Sequence, residues 1–276
     1  MSRLVIGLTG SFGSGCSHIA TKYLQAKGFE YISLSTTLKA MYRESNGHDA
    51  DTREQLQEFG NKLRQDKGYS VFANYAIEEM NRQPDKQLWV IDSIKNPSEV
   101  AKLREDESNF FLFGVFAEAD IRWERVKARY DDDLGDFQRD DKRDSHQEDA
   151  WGQRVRDCFA SSDIIIINNV DYMDGSDSQL AMQHKIDSYL ELIKNPQYRL
   201  PTQDESLMAM AYASGRRSSC LKRKVGAVIV DEYGFLFSSG YNQVPIGEKP
   251  CKSAFGHCYR DHLKAQFFQM CDQSIP

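Results

Sequence analysis

The sequence has no apolar run long enough to cross a bilayer. Its longest candidate, residues 110–117, is the size of a strand, whereas a spanning helix needs about 20 apolar residues. A secretory leader is missing as well. Met1-Ser2-Arg3-Leu4-Val5-Ile6-Gly7 carries one basic residue and a short apolar stretch that runs into glycines, which reads as a first strand and not as a signal peptide. These absences lead to the expectation of a cytoplasmic protein with no membrane partner. Low-complexity tracts and internal repeats are absent too. Proline is scarce, with 7 residues in 276, and two of them, Pro196 and Pro201, fall within one short segment. There is no excess of positive charge: 35 basic residues face 41 acidic ones, a net charge of -6. The balance is -8 over residues 1–199 and +2 over residues 200–276. Neither part offers the basic surface that binds a nucleic-acid polymer. A small anionic ligand needs only local donors and stays open.

Cysteine is present, but not in Cys-x-x-Cys pairs. The six are Cys16, Cys158, Cys220, Cys251, Cys258 and Cys271. Without a secretion signal, disulfides are not expected and metal binding is the alternative to weigh. Cys220, Cys251, Cys258 and Cys271, with His257 and His262 among them, form a candidate zinc set, since thiolates and an imidazole can complete a tetrahedral site. The spacing is irregular, and reduced cysteines packed as small hydrophobes are the competing reading.

The first 195 residues alternate short apolar strands with helical patterns. Strands are expected at residues 4–8, 31–34, 88–91, 110–117 and 164–167, and helices at 17–27, 51–67, 71–82, 99–105, 121–130 and 180–193. Apolar strands separated by helices predict an α/β fold with a parallel sheet covered on both faces. The segment from Lys194 to Pro201 stops the last helix. After it come a helix (204–214), a strand (225–230), a turn at Asp231-Glu232-Tyr233-Gly234 and a second strand (235–239), the order of a hairpin. The expected domains are therefore 1–195 and 200–276. The second would present an apolar sheet edge followed by a polar, cysteine-bearing tail.

Between the first strand and the first helix stands Gly10-Ser11-Phe12-Gly13-Ser14-Gly15-Cys16-Ser17. It fits Gly-x-x-x-x-Gly-Lys-Ser/Thr at every fixed position but the lysine, where Cys16 stands. Glycines let backbone N–H groups converge on phosphate oxygens, and the helix N-terminus adds favourable partial charge. Gly10, Ser11, Gly13, Ser14, Gly15, Cys16 and Ser17 are the candidate nucleotide-binding residues, with Ser17 placed to hold Mg²⁺. The missing ammonium would reach the β- and γ-phosphates during transfer. Lys22 and Lys27 lie further along the same helix and do not obviously replace it. The expected activity is nucleotide or phosphate binding rather than phosphoryl transfer.

On these residues the first part resembles the nucleoside-monophosphate kinase and dephospho-coenzyme-A kinase branch of P-loop proteins. The segment Val90-Ile91-Asp92-Ser93-Ile94-Lys95-Asn96-Pro97-Ser98-Glu99-Val100 resembles that branch's strand end. The resemblance implies that Asp92 lies near metal or substrate. Arg122, Arg125 and Arg129, with the charged segment 131–149 after them, resemble its arginine-rich lid; a solvated helix with internal ion pairs is the alternative.

In the second part, Arg217-Ser218-Ser219-Cys220, Val225-Gly226-Ala227-Val228-Ile229-Val230 and Gly240-Tyr241-Asn242-Gln243-Val244-Pro245 follow one another in order. This resembles the start of a cytidine-deaminase-like α/β domain, that of the deoxycytidylate deaminases. The resemblance implies that Arg217 and Asn242 contact substrate, with a surface arginine and a turn-stabilising asparagine as the alternatives, and that zinc belongs to the complete domain. Such enzymes activate water with His-x-Glu and a later Pro-Cys-x-x-Cys. Neither occurs after residue 200, where Pro250-Cys251-Lys252-Ser253-Ala254 breaks the second motif. A chain that is truncated relative to that family, and inactive alone, is expected.

The joined pattern resembles the bacterial anti-phage dCTP deaminases, which deplete deoxycytidine nucleotides. It implies a deoxycytidine nucleotide substrate (dCMP or dCTP), a separate ligand at the P-loop and a homo-oligomer or an RNA or protein inhibitor as partner. A small-molecule kinase and a non-catalytic nucleotide-binding regulatory module remain alternatives.

Overall fold

In the computed structural model, strand β1 (Leu4–Thr9) is buried along its whole length and forms the centre of a five-stranded sheet. Residues 3–145, 150–169 and 176–272 are described, without the side chains of Ser145 and residues 268–272. The chain forms two compact units, Met1–Leu190 and Glu191–Pro276.

In the first unit β2 (Glu30–Ser33), β3 (Leu88–Asp92), β4 (Phe110–Phe116) and β5 (Ile164–Ile167) join β1 in the order β2-β3-β1-β4-β5. All pairs are parallel, with Ile6 beside Val90 on one side and Phe111 on the other. Parallel neighbours require crossovers, and these carry the helices. They are α2 (Leu34–Asn46), α3 (Arg53–Lys67), α4 (Val71–Asn81), α5 (Pro97–Asp106), α6 (Ala119–Val126), α7 (Leu134–Ser145) and α8 (Val155–Ala160); α9 (Asp177–Lys194) follows β5. The first helical segment, α1, has three geometries. It starts as α-helix at Cys16–His18, widens to a π-helix at Ile19–Leu24 and tightens to a 3-10 turn at Gln25–Lys27. Trp89, Ile91, Leu112 and Phe72 are fully enclosed in the core, and Leu38, Met41 and Leu63 pack against it. This is the α/β parallel-sheet architecture that the alternation of strands and helices predicts.

Strands β1 and β3 lie side by side, yet the chain leaves their C-terminal ends for opposite sides of the sheet, toward β2 and toward β4. Such a reversal opens a crevice beyond the strand ends, where α/β proteins bind ligands. The loop Gly10–Gly15 and the segment Asp92–Asn96 are the two connections at that crevice.

Several helices escape the sequence reading. α2 begins at the last residue of β2 with no intervening turn, capped by the Ser33 hydroxyl, which accepts from the Thr36 N–H. α7 has 7 charged residues among its 12 and buries Phe137. Its other anchors are ion pairs, from Arg122 to Asp141 and from Arg53 to Asp144.

In the second unit, α10 (Gln203–Gly215) starts from a capping box in which Thr202 and Glu205 satisfy each other's backbone N–H groups. β6 (Gly226–Val230) and β7 (Leu236–Tyr241) pair antiparallel with a bulge at Ile229/Val230. The Asp231 carboxylate accepts from the N–H groups of Tyr233 and Phe235 and fixes the turn. What reads as a polar tail contains two helices, α11 (Cys251–Phe255) and α12 (Tyr259–Asp272). Gly256, in the left-handed region, ends α11 and separates it from α12.

Candidate functional site

The phosphate loop leaves β1 through positions that only glycine fits. A Cβ on Gly10 would collide with the Val115 carbonyl oxygen and the Ser14 hydroxyl. Gly13 and Gly15 have φ of 82° and 96°, in the left-handed region that costs other residues strain. Three consecutive carbonyls of the loop are tied from behind. Arg122 donates to the Phe12 oxygen (3.0 Å), Arg125 to the Gly13 oxygen (3.3 Å) and the Asn168 amide to the Ser14 oxygen (2.6 Å). With these acceptors engaged and the Ser14 N–H bonded back to the Ser11 oxygen (3.0 Å), the N-terminus of α1 follows at Cys16. Arg122 and Arg125 thus brace the loop backbone, a role the lid resemblance does not suggest. Arg129 lies with its guanidinium 5.8 Å from the centre of the Phe12 ring. Residues 146–149 of the expected lid lie outside the described residues.

The loop is the floor of a cavity of roughly 1000 Å³. Gly10, Ser11, Gly13, Ser14, Gly15, Cys16, Ser17 and Asp92 all line it, so the structure brings the first set of candidate residues together. It also adds residues the sequence reading did not select, chiefly Arg53 and Lys95. Arg53 belongs to no recognisable short motif, and Lys95 stands in the strand-end segment without being singled out there; the fold carries both to the loop.

Ser17 donates to Asp92 Oδ2 at 2.6 Å, and the Tyr31 hydroxyl donates to the same oxygen at 3.2 Å. Asp92 is 1 % exposed, and its Oδ1 has no hydrogen-bond partner among the described residues. Burial raises its carboxyl above the ordinary carboxylate range, against the opposing effect of the Ser17, Ser93 and Tyr31 hydrogen bonds. A buried carboxylate oxygen without a donor, beside a hydroxyl, is a donor set for a hard cation such as Mg²⁺. Cys16 takes the place of the usual ammonium. Its thiol is pushed up to about 12, first by burial and then by the Asp92 carboxylate, so it is neutral at pH 7 and has no positive charge to offer.

In the second unit Asn242 is occupied with its own backbone. Its Oδ1 accepts from the Val225 N–H (2.8 Å) and its amide donates to the Arg223 oxygen (2.9 Å), which seals the entry to β6. Arg217 lies 5.2 Å from the centre of the Tyr241 ring. The expected zinc set does not assemble: among the described residues no three of His, Cys, Asp and Glu gather as metal ligands. Cys220, Cys251 and Cys258 are free thiols, and the side chain of Cys271 lies outside the described residues. The Cys220 sulfur accepts instead from the Arg223 N–H.

Fold and loop define the class: an α/β protein with the parallel sheet and phosphate loop of P-loop kinase-like proteins. No family model matches the chain. Among individual relatives, it is 26% identical over 168 residues to a UPF0200 protein of Methanothermobacter thermautotrophicus, covering 61% of this chain and 83% of that one. It is 28% identical over 180 residues to the deoxycytidylate deaminase of Schizosaccharomyces pombe. That alignment covers 63% of this chain and 51% of the relative, so the chain spans about half of it. A shikimate kinase of Bacteroides thetaiotaomicron aligns at 12% identity and a TM-score of 0.43, over 69% of this chain and all of that one. No helix of the described residues is long and apolar enough to cross a membrane.

Proposed function

We propose that the first unit binds a nucleotide at the phosphate loop without transferring its phosphate, and that the second unit opens a deoxycytidine-nucleotide deaminase domain which the first regulates. One observation carries the first half. The loop keeps every glycine that phosphate binding needs, while a neutral thiol occupies the position from which an ammonium would follow the migrating phosphoryl group. Ser17 and Asp92 are the residues that would hold Mg²⁺, which when bound offsets phosphate charge. The loop N–H groups then orient the phosphates, and Arg122, Arg125 and Asn168 keep the loop rigid. Residues 1–195 and 200–276 are the proposed domains.

The second half is supported by the ordered Arg217–Cys220, Val225–Val230 and Gly240–Pro245 segments and by similarity to a deoxycytidylate deaminase. The anti-phage dCTP deaminases that the joined pattern resembles would place the activity in depletion of deoxycytidine nucleotides. Cys220, Cys251 and Cys258 do not fit a zinc site, so no hydrolytic step is derived for this chain. It is expected to release no ammonia from dCMP or dCTP above a blank, and measurable release would overturn that expectation.

Calorimetric titration of the full chain with a nucleotide panel tests the binding half. Saturable binding is expected, and Gly15→Val is expected to abolish it, because a branched side chain blocks the approach of phosphate to the backbone. Equal binding by the variant would refute the site.

A further inference from the structure

Losing the loop lysine leaves the cavity short of a charge that polyphosphates need, and the structure contains a replacement. Lys95 sits at the end of β3, three residues past Asp92. The loop that carries it is tied to β1, where the Ile94 N–H donates to the Leu8 oxygen (3.2 Å) and the Thr9 hydroxyl donates to the Ile94 oxygen (2.8 Å). Its own backbone is held on both sides: its N–H donates to Glu99 (3.0 Å), and its oxygen accepts from the Arg154 N–H (2.8 Å). Lys95 lines the cavity that Gly10–Ser17 floors, and its ammonium donates to Gln153 (3.3 Å) as well as to Asp144.

Arg53 reaches the same space from the first turn of α3. Its guanidinium lies 4.0 Å from the centre of the Phe12 ring, in the loop itself. Both cations are engaged by one carboxylate. Asp144 of α7, 1 % exposed, pairs with Arg53 and with Lys95 (3.1 Å). Among the described residues the Nε of Arg53 has no hydrogen-bond partner, and the Asp140 carboxylate stands 3.7 Å from it. Asp144 is not among the residues that line the cavity, and its Oδ1 also accepts from the Gln57 side-chain amide.

We propose that Lys95, with Arg53 beside it, is the polyphosphate-binding cation of this site, and that Asp144 holds both until a ligand's terminal phosphates displace it. This rests on the reading of the loop as a nucleotide site. Burial, which lowers the basicity of Lys95 against the opposing pull of Asp144, makes its charge dependent on an anionic partner. Lys95 follows the end of β3 and is paired with Asp144, so the role assigned to it is phosphate binding, and no transfer step is derived through it. The ligand class is then a nucleoside triphosphate or diphosphate rather than a monophosphate.

The test uses the full chain, Mg²⁺ and inorganic tripolyphosphate, followed by calorimetry, with thermal melts to confirm folding. Lys95→Met is expected to weaken binding about 10- to 100-fold, the loss of one charge-assisted contact. Asp144→Asn is expected to tighten it. Because Lys95→Met leaves Asp144 with less compensation, Lys95→Met/Asp144→Asn is compared with Asp144→Asn alone, and the same 10- to 100-fold loss is expected. Adding Cys16→Lys to the double variant is expected to restore affinity. If the double variant binds within about twofold of Asp144→Asn while Gly15→Val abolishes binding, the role of Lys95 is refuted and the phosphate site stands. If Gly15→Val binds like the natural chain, or the natural chain binds no tripolyphosphate, the site reading falls and the role of Lys95 with it.

Discussion

The two units are built from strands of similar composition with opposite surroundings. In the first, β1 is buried end to end between two parallel neighbours and helices cover both faces. In the second, the paired strands leave Ile229 and Phe237 open, the latter 82 % exposed, Phe235 in the turn between them is exposed too, and Ala211 is the buried hydrophobic residue of α10. Apolar strands therefore do not define a core by themselves. A strand with neighbours on both edges fixes the loops at its end, as the phosphate loop is fixed here. A two-stranded ribbon is marginal alone, and its apolar face is available to further structure.

The largest effect that sharpens this contrast concerns the first unit's buried ion pair. Glu99 is fully buried, accepts two hydrogen bonds from Arg64 (3.0 and 2.8 Å) and caps α5 through the Lys95 and Asn96 N–H groups. Glu99→Ala strands the Arg64 charge and is expected to cost about 3–5 kcal/mol in denaturant unfolding. A loss below about 1 kcal/mol would mean that water reaches the pair. Next comes a matched pair of truncations. Leu112→Ala, in the core, is expected to cost about 2–5 kcal/mol, and Phe237→Ala within about 0.5 kcal/mol. A comparable cost for Phe237→Ala would show that its face is covered in solution and would remove the contrast.

A smaller effect follows from Asp144. Burial alone would raise its carboxyl, but Lys95 and Arg53 outweigh burial and hold it below the ordinary value. The unfolded carboxyl titrates near 3.9. Its contribution is thus complete above about pH 4 and is lost as pH falls from there through the depressed folded value. Acid titration of the fold is expected to be shallower in Asp144→Asn. An unchanged acid limb would show that the pair contributes nothing.

The parallel sheet and the phosphate loop were legible in the sequence because both are local. Apolar blocks mark strands, and Gly10, Gly13 and Gly15 recur at a spacing that a turn into a helix requires. Asp92 was selected through the resemblance of its strand-end segment to the kinase branch, and it lines the same cavity as the loop. Lys95 and Arg53 were not, since each reaches the loop only through sheet order and helix placement, with residue separations of dozens along the chain. α7 was hidden because its contacts are charged. Asp141 and Asp144 look like solvated acids until Arg122, Arg53 and Lys95 are seen against them. In the second unit the hairpin was legible from alternation and the Asp231–Gly234 turn. The amide of Asn242 proved to be engaged with Arg223 and Val225, a commitment that a linear motif does not reveal.

The central claim is that the first unit binds nucleotide and does not turn it over. One sample of the full chain, with Mg²⁺ and ATP labelled at the γ-phosphate, measures both, by equilibrium binding and by release or transfer of label to candidate acceptors over hours. The account predicts saturable binding with no more than one label transferred per chain. Sustained multiple turnover with Cys16 in place would contradict it.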